Sequence, residues 1–320
     1  MVIKIDNLKT GDIDIQEIAQ LTFAARQDSL RREGQTIETV KQQLQGLFNR
    51  FSPRDIIVAR AKERLVGWLC LYDYDSPFAQ IWNWHPIVFP GNKEDEIATK
   101  LIEESINYAK KKKKSRLTVD FVINDENKDD YKKYSSWYHQ SGIDMLDTTV
   151  FMRCDLTGRV LKDIVFHSAY RLESLLEADE DELYGCRYET FMNSEDRIFP
   201  ELNARERLET FNQTVNDLGS LNEDASFVLL KNNDIIGFSV VQTCTEEGFL
   251  SSFGIHPKYR QKKLGKKLLL SSMNILAKQG FKSMSLDVDI ENHPALRFYR
   301  SVGFESVNKV IGHSLLLGGN

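Results

Sequence analysis

The chain repeats itself once, and this repeat constrains its fold more than any single motif does. Residues Ile56 to Leu71, IIVARAKERLVGWLCL, alternate apolar and polar side chains, turn at a charged tip, and resume an apolar run through Gly67. Residues Ser226 to Val241, SFVLLKNNDIIGFSVV, do the same through Gly237, 170 positions later. Alternation broken by a short polar turn predicts a β-hairpin in each copy. Further landmarks follow in the same order. His85-Pro86 answers to His256-Pro257, and apolar residues at helical spacing fill Asp95 to Lys110 and Leu264 to Gln279. Short strands are expected over Arg116 to Ile123 and Ser283 to Ile290, with Asp120 and Asp287 in matching places. Tyr138 with Gly142 then matches Tyr299 with Gly303. The spacing drifts between copies, as loop insertions allow. The expected architecture is α/β, with two α+β domains of mixed sheet in tandem over residues 1–158 and 159–320. The junction is expected near Gly158 to Asp163, after a last strand over Thr149 to Leu156.

A chain of 320 residues has room for two such cores. Its 42 Lys and Arg against 47 Asp and Glu leave a net charge of -5, so no global basic field recruits nucleic acid or anionic lipid. Any anion site must be local. No stretch approaches the roughly 18 apolar residues that a membrane span requires. Cys70, Cys154, Cys186 and Cys244 stand singly without CxxC spacing, which argues against a zinc site and for a reduced, cytoplasmic setting.

One local charge anomaly stands out. In the second copy an apolar strand over Phe249 to Ile255 leads into KYRQKKLGKK and then a helix. Lys258, Arg260, Lys262, Lys263, Lys266 and Lys267 put six cations within ten residues. The first turn of a helix has unpaired N–H groups and the positive end of the dipole, so cations there are unfavourable unless an anion compensates them. Strand, loop and helix start in that order make a site for a phosphate.

These residues resemble the GCN5-related N-acetyltransferases. That family's pyrophosphate loop reads Arg or Gln, two residues, Gly, one residue, Gly or Ala, and here Arg260, Gln261, Lys262, Lys263, Leu264 and Gly265 fill the six places. The first glycine is replaced by Lys263, which either adds a direct phosphate contact or marks a loop drawn away from the cofactor. Asn292, Ala295, Phe298, Tyr299, Gly303 and Phe304 match the family's second signature. The resemblance implies that acetyl-CoA binds as co-substrate where two parallel strands splay. Its pyrophosphate would rest on the loop from Gln261 to Lys266, and its pantetheine arm would pair with backbone at Phe253 and Ile255. Asn292 would contact the cofactor and Tyr299 would stand near its sulfur. The implied reaction is direct acetyl transfer to a primary amine of a small molecule or peptide, by a monomer or homodimer. Tyr299 is the candidate proton donor to the thiolate and Glu247 the candidate base; Glu246, Asp287 and Asp289 are the other carboxylates within consideration. His256 is read as packing or capping.

The first copy has IVFPGNKEDEIATK where the second has its basic loop. Glu94, Asp95 and Glu96 suit a helix start and would repel a pyrophosphate, so this half is expected to shape or cover the substrate pocket without binding acetyl-CoA. The lysines at 110–114 read as a solvated helix end, EADEDE at 177–182 as the acidic start of a helix, and Trp82, Trp84, Trp137 and Tyr138 as packing. The sequence leaves three other readings open. One is a catalytically silent acyl-CoA-binding module, and another is an aminoacyl-tRNA-dependent transferase, a family that generally lacks the pyrophosphate loop. The third is acylation of a thiol precursor amine, as in mycothiol synthase.

Overall fold

The structure, a computed structural model, describes residues 2–8, 14–26, 34–50, 56–72, 77–158, 164–215, 220–244 and 246–318. Two compact units emerge, Met1–Leu146 with Ile311–Asn320, and Asp147–Val310. The first unit is built from β1 (Ile3–Asn7), α1 (Ile15–Ala25), α2 (Ile37–Arg50), β2 (Ile56–Ala61), β3 (Arg64–Tyr72), β4 (Phe78–Ile81), β5 (Ile87–Val88), α3 (Glu94–Lys111), β6 (Arg116–Ile123) and α4 (Lys128–Gln140). Next comes β7 (Asp144–Asp155), whose residues from Asp147 belong to the second unit. The second unit continues with β8 (Arg171–Ser174), α5 (Glu180–Met192), α6 (Ile198–Glu201), α7 (Ala204–Val215), β9 (Phe227–Lys231), β10 (Asp234–Cys244), β11 (Glu247–Ile255), α8 (Leu264–Lys278), β12 (Ser283–Asp289) and α9 (His293–Val302). β13 (Glu305–Leu316) closes the list, and its residues from Ile311 belong to the first unit.

The two units have the mixed α/β architecture expected from the repeat. Each holds an antiparallel hairpin, β2 with β3 and β9 with β10. In the second hairpin Asn232 and Asn233 take φ of 52° and 71°, the paired left-handed conformation of a two-residue turn that asparagine tolerates. A parallel pair follows in each unit, β4 with β6 and β11 with β12. The tyrosine–glycine landmarks are also explained. Gly303, at φ 104°, ends α9 while the Phe304 N–H donates to the Tyr299 carbonyl and the Gly303 N–H to that of Arg300. Gly142, at φ 78°, ends α4 with the same two bonds, Ile143 to Tyr138 and Gly142 to His139. Both are left-handed glycine caps of the Schellman type.

The compact units divide elsewhere than at 158/159, and the expected junction at 159–163 lies outside the described residues. The reason is a swap of last strands. Residues Thr149 to Asp155 pair antiparallel with β12, from Asp289↔Thr149 to Ser283↔Asp155, and so serve the second unit. The later part of β13 runs beside β6 in the first unit, where the Leu317 N–H donates to the Ser115 carbonyl and Arg116 to Ser314 Oγ. Val150, Met152, Cys154 and Leu156 are buried in the core of the second unit, and Leu317 in that of the first.

Trp137 and Tyr138 lie in the first unit's core with Trp84 packed against it, and Trp82 packs on the neighbouring cluster around Trp68, which agrees with their reading as packing residues. No helix of the described residues is long and apolar enough to cross a membrane.

Candidate active site

The second unit opens at β11. Pairing with β12 lasts only from Glu247↔Ser283 to Phe249↔Ser285, after which the strands part. The divergence has a local cause. Opposite β10 the register jumps from Val241↔Leu250 to Val240↔Ser252, which leaves Ser251 as the extra residue of a β-bulge. A bulge bends its strand and sharpens its twist, so β11 swings away from β12 at this point. The gap is a cavity of about 630 Å³, lined along β11 by Leu250 to Ile255 and on β12 by Asp287 to Asp289. Asn292, Phe298 and Tyr299 of the following helix line it too.

The loop between β11 and α8 forms a start for the helix that no side chain caps. His256 stabilises the turn before it by accepting the Lys258 N–H at Nδ1, a capping role as expected. Gln261 and Lys263 both adopt left-handed backbone, with φ of 65° and 59°. Lys263 therefore holds the conformation that a glycine would take most easily. Among the described residues none of the six cations of this loop pairs with a carboxylate. Lys267 donates to the Val165 carbonyl at 2.7 Å, and Lys262 lies 5.0 Å from the ring of Tyr259. A Cβ at Gly265 would meet Ile255, Phe253 and Phe298 at 3.4 to 3.7 Å, which are ordinary contact distances, so glycine or alanine both fit there.

Arg260 has a different place from its neighbours. Its guanidinium donates to three carbonyls, Ile255 at 3.1 Å, Asn193 at 2.6 Å and Thr190 at 2.8 Å, and burial lowers its pKa. It ties the end of β11 to the end of α5, which positions the loop. Asn292 is likewise engaged, because its Oδ1 caps α9 by accepting the Ala295 N–H at 3.2 Å. Phe253 stacks on Phe298 at 5.6 Å, and Tyr299 sits 5.3 Å from Phe298 with its ring almost wholly buried. Burial pushes the Tyr299 phenol well above its ordinary pKa, and among the described residues its hydroxyl has no hydrogen-bond partner.

The carboxylates separate clearly. Glu247 is at the far, paired end of β11, where it accepts from Arg153 Nε at 3.0 Å and Ser283 Oγ at 3.1 Å, outside the cavity. Glu246 pairs with Lys282 at 2.6 Å and is exposed. Asp289 lines the cavity, yet both its oxygens are held by Arg197, at 2.7 Å and 2.9 Å. Asp287 lines the cavity and is exposed. The geometry thus brings Phe253, Ile255, Arg260, Asn292 and Tyr299 around one space and leaves Glu247 out of it, since Glu247 sits at the end of the β11–β12 pairing that is farther from the cavity.

Two features escaped the sequence. The bulge at Ser251 has no signature in residue type. Arg187 of α5 also lines the cavity, on the buried stripe of Leu183, Cys186 and Thr190. An arginine inside an apolar i, i+3, i+4, i+7 pattern is the signal that would have found it.

The matching helix start of the first unit also lacks a side-chain cap, but it carries acids in place of cations. Glu94, Asp95 and Glu96 fill the first turn of α3. Asp95 accepts from the Trp137 indole at 2.6 Å, Glu94 pairs with Lys133, and Lys100 and Lys93 hold Glu96 at a pKa of about 2. Tyr138, the counterpart of Tyr299, is fully buried and donates its hydroxyl to the His85 carbonyl at 2.6 Å.

A strand that leaves its parallel partner at a bulge and then turns into an uncapped, cationic helix start is the arrangement that the resemblance to the GCN5-related N-acetyltransferases implied. Residues 188–304, which lie within the second unit, match the acetyltransferase (GNAT) family. Over the whole chain the fold is that of tandem GNAT proteins. It is similar to a tandem GNAT protein from the clavulanic acid biosynthesis pathway (TM-score 0.57, 17% identity, 100% of both chains). It is also similar to a GCN5-related N-acetyltransferase from Sphaerobacter thermophilus (TM-score 0.63, 14% identity, 98% of this chain and 96% of that one). Among curated relatives, the chain is 32% identical over 89 residues to the ribosomal protein bS18-alanine N-acetyltransferase of Haemophilus ducreyi, which is 27% of this chain and 61% of that protein. The Escherichia coli enzyme of the same name is 30% identical over 79 residues, 25% of this chain and 53% of that protein. The chain thus spans between about half and three fifths of these relatives' length.

Proposed function

We propose that the second unit transfers the acetyl group of acetyl-CoA directly to a primary amine of a small molecule or peptide. The observation that carries this reading is the start of α8, a helix N-terminus without a side-chain cap, surrounded by six cations that have no carboxylate partners among the described residues. A pyrophosphate supplies the missing negative charge. Backbone N–H groups from Lys263 to Lys266 cradle it, with Lys262, Lys263 and Lys266 adding charge. The edge of β11 that β12 abandons, from Ser251 to Ile255, is free to pair with the amide groups of a pantetheine arm as another strand would.

The thioester supplies an activated acyl carbon. As the amine nitrogen bonds to it and the C–S bond breaks, the departing thiolate takes a proton. Tyr299 is suited to give that proton, because its buried phenol stays protonated at neutral pH. Asp287 is a carboxylate of the cavity wall, as is Glu195, and from β12 it is suited to accept the proton that the amine loses, directly or through water. The relatives named as alanine N-acetyltransferases support nitrogen as the acceptor atom. In the first unit, acids at the start of α3 argue against binding of acetyl-CoA.

Calorimetric titration of the wild type and of Gly265→Glu with acetyl-CoA tests the reading. The wild type is expected to bind and the variant to lose at least tenfold in affinity. If neither protein binds, the reading fails; if both bind equally, α8 is not the cofactor's seat.

A further inference from the structure

Among the described residues of the second unit, Arg187 is the charged side chain that buries a polar atom without a hydrogen-bond partner. Its side chain lines the cavity, yet only 8% of the residue is exposed. Nε donates to Ser252 Oγ at a long 3.4 Å, and Nη1 is buried without any hydrogen-bond partner. The guanidinium packs against two neighbouring rings, 5.2 Å from Phe191 and 5.3 Å from Phe199, whose own centroids are 5.2 Å apart. Arg187 forms no ion pair among the described residues. Asp196 and Tyr184 are the groups whose charge reaches it, and Asp196 is already occupied in capping α6, accepting the N–H groups of Ile198 and Phe199 at 3.0 and 2.9 Å. Burial lowers the pKa to about 10, which still leaves the group charged at neutral pH. A buried cation without a partner is strongly unfavourable unless something outside the fold completes it.

The position of Arg187 sets it apart from a pyrophosphate seated at the start of α8. Successive residues of a strand face opposite sides. Ser252 and Gly254 face α5, since a Cβ on Gly254 would come within 2.3 Å of Thr190 Cγ2. Phe253 faces α8 and α9, beside Gly265 and Phe298. Arg187 and the start of α8 therefore lie on opposite faces of β11; of the loop's cations Arg260 reaches the α5 side, where carbonyls already hold its guanidinium, so the anion on Arg187 is a different group from one seated on the helix start.

We propose that Arg187 binds a carboxylate of the acceptor, so that the substrate class of the second unit is an amine that also carries a carboxylate, held by the fork of Arg187 with the hydroxyl of Ser252. A planar carboxylate matches the guanidinium edge in a bidentate way. Asp287 on the opposite wall of the cavity attracts the ammonium end of the same molecule. This inference rests on the transferase reading for its acceptor, whereas the anion site itself can be tested without turnover.

Three measurements separate the two. Titration with acetyl-CoA of wild type, Arg187→Met and Arg187→Lys is expected to give affinities within twofold of one another. Titration with 3-phenylpropanoate and its neutral amide is expected to show at least tenfold preference for the acid in the wild type. Arg187→Met should abolish that preference and Arg187→Lys should retain part of it. Equal binding of acid and amide, binding of neither, or an undiminished preference in Arg187→Met overturns the proposal. Finally, Arg187→Met is expected to melt at a higher temperature than the wild type, because methionine fills the space without an unpaired charge. A lower melting temperature would mark Arg187 as structural. Should Arg187→Met not fold, Arg187→Lys and Ser252→Ala carry the same comparison of acid with amide. If acetyl-CoA binds no variant and the acid preference stands, the anion site survives and the transferase reading falls.

Discussion

Arg197 holds both carboxylate oxygens of Asp289, Nη2 on Oδ1 at 2.7 Å and Nε on Oδ2 at 2.9 Å, while the Asp289 side chain is only 1% exposed. The N–H groups of Arg197 and Glu291 complete the set. Burial alone would raise the pKa of Asp289, but these donors together carry it below the ordinary aspartate value. The contribution of this carboxylate to stability is therefore complete above about pH 4 and is lost as pH falls through the lowered folded-state value. Arg197→Met is expected to lower stability by about 2 kcal/mol at pH 7. The gap between variant and wild type should narrow toward pH 3 in urea unfolding. A gap independent of pH would mean that Arg197 acts through packing.

Tyr299→Phe removes a hydroxyl that has no protein partner among the described residues, so the fold should tolerate it. Turnover is expected to fall by about 100-fold, as for loss of a general acid, with the Kd for acetyl-CoA changed less than about twofold. Steady-state kinetics beside calorimetry checks both. Unchanged turnover would leave the phenol with a packing role.

Glu247→Gln is expected to leave kcat within about twofold of wild type and its pH profile unmoved, because Glu247 is engaged by Arg153 and Ser283 outside the cavity. Asp287→Asn should lower turnover by about 100-fold or more, with the Kd for acetyl-CoA changed little. A reversed pattern would restore Glu247 as the base.

Lys263→Gly replaces a side chain held at φ 59° by the residue that adopts this backbone freely. A gain of about 1 kcal/mol in stability is expected from thermal melts, with affinity for acetyl-CoA falling less than about threefold. A tenfold loss of affinity would assign the lysine ammonium a direct phosphate contact.

Much of this architecture was legible because local chemistry dictates it. Alternation gave both hairpins, helical spacing gave α3 and α8 to within a residue at each end, and the Tyr-Gly landmarks proved to be helix ends whose φ demands glycine. The acidic run at 177–182 starts α5 as expected, with Asp179 capping the Glu182 N–H at 3.0 Å. What remained hidden is nonlocal. Period two tells which face of β7 is buried but not that its partner is β12. Residue type announced Arg260 as a phosphate ligand, but three carbonyls claim it in the fold. Glu247 looked like a base by proximity in sequence, while the paired residues Gly248 and Phe249 lie between it and the cavity that opens at Leu250.

The swap of last strands has a consequence for dissecting this chain. A cut at 158/159, where the repeat invites one, separates Thr149 to Asp155 from the β12 that they cover. The released C-terminal fragment would present the naked flank of β12 to solvent, an edge prone to stick to other strands. It would also carry Ile311 to Leu317 away from the first unit's core, so neither fragment would own its full sheet. Once last strands are exchanged, a duplicated gene can no longer be divided back into its two ancestors with a single cut.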